Sequence, residues 1–301
     1  LMGLADGPLL PDGPHTARQQ AIGSISAPVA AVRQYLFDSY QRAFPRERQA
    51  QSVAIVGIDE NSLKIVGQWP WPRNKLAELI DAIAVHRPAA IGLDIYMPES
   101  DQTSPEQVAQ RLGPQHDALA GGLRLLPPHD ARLAEALHGA PTVLGAAGFQ
   151  FETLATTVGM RTFEMTLEGA DPRPFLLRYP FVLASLPQLQ AATHGQALVS
   201  IEQAAVVRRV PLVAAVGAQV TPSLAMEMLR VGYNQGPVTV RTDGHGIREV
   251  RVADQAFATQ AGGDICSISR PRRRGWTTAT YRPSTCWPAR SPVPASRTSW
   301  S

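Results

Sequence analysis

"SVAIVGIDENSLKIVGQWPWPRNKLAELIDAIAVHRPAAIGLDIY", residues 52–96, decides the fold. Its first eight residues, "SVAIVGID", form a continuous apolar run rich in β-branched side chains and closed by an acid, the pattern of a strand buried on both faces. A short turn, "ENSLKIVG", follows, with Gly67 as its stop. In "PRNKLAELIDAIAVHRP" Leu76, Leu79, Ile80 and Ile83 recur at i, i+3, i+4 and i+7, which predicts a helix ended by Pro88. "AAIGLDIY", 89–96, repeats the buried-strand pattern and again carries an acid near its end. Strand, helix and strand in so short a stretch predict a βαβ unit, two parallel strands with a right-handed crossover.

Downstream, residues 97–128 read as a polar, proline-rich excursion. "HDARLAEALHG" predicts a second helix with Asp130 as N-cap and Gly139 as stop, and "PTVLGAAGF" a third strand. Residues 150–195 are less regular and read as a cap or insertion. "ALVSIEQ" and "VVRRVPLVAAVG" then predict strands, "TPSLAMEMLRVGY" a helix with Pro222 in its first turn, and "GPVTVRTDGHGIREVRV" a hairpin turning at Asp243-Gly244. The expected class is α/β: a three-layer sandwich with a mainly parallel central sheet, a βαβαβ core and antiparallel additions.

The chain has 301 residues, 44% of them hydrophobic, enough for a real core. No apolar run reaches the length that spans a bilayer. It starts at Leu1 with no basic and apolar leader, and is read as a piece of something longer. Three regions are expected. Residues 1–50 form a juxtamembrane-like linker with a helix whose Val29, Val32, Leu36 and Tyr40 make one sticky face, 51–264 form the folded body, and 265–301 form a disordered or frame-shifted tail. That tail lacks Leu, Met and Phe, yet holds both cysteines, Cys266 and Cys286, three of five tryptophans, seven arginines and no acid. Without it the formal charge falls from +3 to −4, so a nucleic-acid reading would rest on the tail alone and no such partner is expected. The body has no cysteine for disulfides or thiolate metal sites. No cofactor is expected.

Residues 53–99, with their Trp-Pro-Trp-Pro-Arg box after a strand ending in Asp, resemble the hallmark of the second type of CHASE domain, the cyclase/histidine-kinase-associated sensory extracellular module. "VVRRVPLVAAVGAQVTPSLAMEMLR", 206–230, is similar to that family's second signature, and together they extend the resemblance over roughly 35–260. The resemblance implies a periplasmic or extracellular sensory domain without catalysis of its own. It also implies that the domain is tethered to a cell membrane by helices missing here and linked to a nucleotide cyclase, kinase or diguanylate cyclase output. An unknown small ligand and a homodimer are the expected partners.

Within the box, Trp69 and Trp71 each precede a proline and are driven toward extended backbone, and Pro72 fits a first helical turn. Arg73 then sits where the helix dipole disfavours a cation by about 0.3–1 kcal/mol. Asp59 and Asp94 end the two parallel strands, at the sheet edge where α/β folds place ligands. Arg73 is therefore expected to pair with one or both. Two readings stand: a small polar pocket walled by Trp69 or Trp71 with Asp59, Arg73 and Asp94 as its floor, or a structural ion pair with the tryptophans as core plugs. A third, an enzyme holding Mg²⁺ on Asp59 and Asp94, lacks a nucleophile motif, a phosphate loop and a placed third ligand, Glu60 and Glu99 being neighbours in sequence only. A purely structural dimerisation module is the remaining alternative. His116, His129 and His138 match no metal spacing and read as solvated.

Overall fold

The computed structural model describes residues 53–152, 159–161, 165–199, 209–234 and 236–266, together with scattered positions between 32 and 44 and the pair Ala279–Thr280. Contacts divide the chain into residues 1–53 with 268–276, and residues 54–267 with 277–301. In the first unit Val32, Tyr35, Leu36 and Tyr40 are helical and exposed, and the rings of Tyr40 and Phe44 lie 5.1 Å apart. Val29 and most of 265–301, Cys286 included, lie outside the described residues.

The second unit is α/β. It opens with strand β1 (Val56–Gly57), helices α1 (Glu60–Val66) and α2 (Arg73–Ala84), and strand β2 (Ile91–Leu93). The 97–128 excursion, expected to be irregular, holds α3 (Pro105–Arg111), a 3₁₀ turn (Pro114–His116) and α4 (Asp117–Arg124). Then come α5 (His129–Gly139) and β3 (Thr142–Phe149). Residues 150–195 are no separate cap, because they supply β4 (Met165–Gly169), β5 (Arg178–Tyr179), β6 (Phe181–Leu183) and α6 (Pro187–Ala192) to three sheets. The remainder is β7 (Gly195–Leu198), β8 (Arg209–Pro211), β9 (Val213–Val216), β10 (Gln219–Pro222), α7 (Leu224–Tyr233), β11 (Val238–Asp243), β12 (Gly246–Val252), β13 (Gln255–Ala258), β14 (Asp264–Cys266) and β15 (Ala279–Thr280).

The strands form mixed sheets rather than one mainly parallel sheet. In the first, β2 and β7 flank β3 in parallel while β6 pairs antiparallel with its far end. In the second, β4 lies parallel to β11, and β11, β12 and β13 form an antiparallel meander. β9 pairs with β10 and β5, and β14 with β8. The first strand also departs from expectation: β1 pairs in parallel with Ala279–Thr280 and not with β2. Ile55 and Val56 remain 62% and 40% exposed, so this run is not buried on both faces. Its β-branched residues favour extended backbone, but propensity does not choose the partner strand.

Helical periodicity fares better. Leu76, Ala77 and Ile80 of α2 and Leu133, Ala136 and Leu137 of α5 are buried together with Trp71, Leu93 and Leu144. Full burial of such a large apolar side chain contributes about 1.5–3 kcal/mol. α7 covers the opposite face: a Cβ on Gly92 would clash with Met228 Sδ, and one on Gly195 would meet Glu227 Oε1 at 2.6 Å. Met226 and Leu229 of the same helix enter a second core with Val238, Val240 and Val250. Buried Glu227 is held by Arg230, whose Nε and Nη2 donate at 2.9 and 2.7 Å, and Arg230 Nη2 also donates to His194 O at 2.8 Å.

Candidate functional site

Pro72 is the extended N-cap of α2, so Arg73 is its first helical residue, and the first turn has no acid of its own. α2 and α5 precede the parallel strands β2 and β3, and the start of α5 comes beside Arg73. Pro128 caps α5, and Asp130, expected as the N-cap, lies inside the first turn and is 2% exposed. The cation's offset therefore comes from Asp130, whose Oδ1 lies 3.7 Å from Arg73 Nε. That separation is an ion pair without a hydrogen bond. Asp101, in the turn before α3, completes the junction. Its Oδ2 accepts from the Arg73 backbone N–H at 2.7 Å and lies 3.0 Å from His129 Nδ1. Its Oδ1 accepts from the N–H and Oγ1 of Thr103 at 2.8 and 2.7 Å, and its own N–H donates to Asp130 Oδ2 at 3.0 Å. Ser104 Oγ accepts the His129 N–H at 2.9 Å and donates to Glu106.

Burial lowers the guanidinium pKa of Arg73, while Asp130 and Asp101 act to raise it. Burial would also raise the Asp101 carboxyl, but its bonds from Arg73, Thr103 and His129 outweigh that and hold it below the ordinary range. For Asp130 burial prevails over the Asp101 N–H and Arg73, and its carboxyl is raised.

The pairing expected from the sequence is thus corrected. Asp59 is the N-cap of α1, accepting from Ser62 N and Oγ at 2.9 Å each, which lowers its pKa. Asp94 is exposed and lies by Tyr96, whose hydroxyl is pushed up to about 12 by burial and then by the Asp94 carboxylate. Neither acid appears among the partners of Arg73. Both have nearer uses, a free helix N-terminus and a tyrosine hydroxyl. Trp71 is a core plug at 4% exposure, its indole N–H donating to Gly67 O at 2.7 Å. Trp69 stays 37% exposed with its ring edge-on to Trp71, 5.9 Å between centroids. Glu60 and Glu99 are exposed. His129, read as solvated, belongs to the junction, whereas His138 is exposed and stacks on His194.

Chemically, the junction ties helix starts together through the hydrogen bonds of Asp101 and Ser104, while Arg73 Nε and Asp130 Oδ1 face each other as a buried ion pair without a hydrogen bond. Among the described residues no group of three or more His, Cys, Asp or Glu is placed to hold a metal ion. A recess lined by Gly236, Pro237, Thr239, Arg251, Ala253 and Asp254 lies at the β11–β12 pair and includes no residue of the junction. No helix among the described residues is long and apolar enough to cross a membrane.

The family model of the CHASE2 domain matches residues 20–291, most of the chain. No curated protein and no solved structure matches it.

Proposed function

As the chain belongs to the CHASE2 domain family, whose members are sensory domains of signalling proteins, we propose that it is the extracytoplasmic input domain of a membrane-anchored nucleotide cyclase or kinase. The family match over residues 20–291 carries this reading. The domain senses and does not catalyse, and a small ligand is its proposed stimulus. In this reading the Arg73 junction holds the framework on which sensing depends. The exposed apolar residues Val32, Leu36 and Tyr40 support a homodimer formed through the N-terminal helix.

The experiment is output activity of the full-length parent in membranes, comparing the native domain with Leu133→Ala, a substitution confined to its core. Leu133 is fully buried. A sensory domain whose packing is loosened sets a different basal output, and a severalfold change is expected. Equal output from equal amounts of both proteins would contradict the input role.

A further inference from the structure

The α3–α4 segment is attached to the body in an unusual way. Its two helices pack chiefly on each other and bury one alanine apiece, Ala109 at 1% and Ala120 at 2% exposure. None of residues 98–128 belongs to the three apolar clusters of the body, whereas Met97, just before it, is fully buried in the first. Leu119, Leu125 and Leu126 point into solvent at 56%, 87% and 51% exposure. What holds the hairpin is polar and gathered at its base. Asp101 bonds the first N–H of α2, the His129 ring and, through its own N–H, Asp130; Ser104 bonds the His129 N–H. Pro98 lies on the entering side and Pro127–Pro128 on the leaving side, so backbone freedom is restricted at both ends.

We propose that residues 98–128 are a conformational device, a helical hairpin latched to the body by Asp101 and Ser104, which opens as a unit while the sheets remain folded. A segment with few apolar contacts to its surroundings opens locally at lower free energy than the global transition. A latch of hydrogen bonds to a charged group depends on a few atoms, so one substitution can release it. Asp101 also holds the Arg73 N–H, which makes the start of α2 the part of the body that feels the release.

The test is amide hydrogen exchange of the whole chain and of two variants. Asp101→Ala should speed exchange across 106–112 and 118–124 by roughly tenfold or more, together with the Arg73 amide, and leave the β3 and β11 amides at their original rates. Ser104→Ala, which removes the acceptor of the His129 N–H and the hydroxyl that donates to Glu106 but leaves Asp101 in place, should give a smaller acceleration confined to the hairpin. This second variant decides the matter if Asp101→Ala does not fold. Hairpin rates unchanged in the folded variants would overturn the proposal. So would β3 and β11 accelerating by the same factor as the hairpin, because the hairpin would then open only with the whole domain.

Discussion

Replacing Arg73 with Met tests which acids the cation serves. The Arg73 and Asp130 side chains are 12% and 3% exposed and 3.7 Å apart. With an effective dielectric of about 20, their attraction at 3.7 Å has an upper bound of about 4.5 kcal/mol before desolvation is charged against it. Removing one partner of a buried pair typically costs about 3–5 kcal/mol, because the other charge is left uncompensated. The long contact, with no hydrogen bond between the two groups, places Arg73→Met at the lower end, about 3 kcal/mol. The methionine keeps most of the apolar stem, and the backbone N–H that Asp101 accepts is untouched. Urea unfolding of Arg73→Met, Asp130→Asn and the double variant should give a coupling energy of about 1–2 kcal/mol. The same cycle with Asp59→Asn or Asp94→Asn should be additive within about 0.5 kcal/mol. Additivity with Asp130, or clear coupling to Asp59 or Asp94, would refute the assignment.

Trp71→Phe removes the indole donor to Gly67 O and leaves space in a closed site, and should lower stability by about 1–3 kcal/mol, read as a shift of the urea midpoint with the slope preserved. Glu227 has its carboxyl raised by burial, with Arg230 opposing, so the folded state binds a proton more readily than the unfolded one. The parent should therefore gain stability relative to Glu227→Gln as pH falls from neutral toward 4.5, the ordinary glutamate value; a difference independent of pH would show that this carboxyl is not perturbed. Leu36→Glu with Tyr40→Glu should weaken self-association in sedimentation equilibrium, and equal association constants would rule out the N-terminal helix as the dimer face.

Strong periodicity made α2, α5, α7 and the β11–β12 hairpin legible, since each buries one face against a core, and β3 was legible as an apolar run, buried on both faces from Thr142 to Ala146. β1 was legible as extended backbone, but not its partner, because β-branched runs fit any sheet. The excursion misled through its prolines. Pro105 stands at the start of α3 and Pro114 at the start of the 3₁₀ turn, positions where proline opens a helix rather than breaking one.

The site was half legible. A cation in the first turn of α2 does find a compensating acid, Asp130, but not one at a strand end. Asp59 instead serves Ser62, three residues away in its own cap, and such local bonds compete well with distant partners. The true partners have signals of their own. Helices preceding adjacent parallel strands run alongside each other, which brings Asp130 near Arg73. Asp-Gln-Thr-Ser-Pro at 101–105 reads as an Asx turn feeding a helix start. Nothing in the sequence marks His129 as the ring that reaches Asp101, 28 residues away.

The proposed outward orientation of this sensory domain can be read directly by thiol labelling. Leu125 is 87% exposed, so Leu125→Cys in the full-length parent gives a reactive thiol on a known surface, read over the background of Cys266 and Cys286. Intact cells treated with a membrane-impermeant maleimide should label this variant above the unsubstituted protein, to the same extent as lysed cells. Labelling that appears only after lysis would place the domain inside the cell and contradict the account.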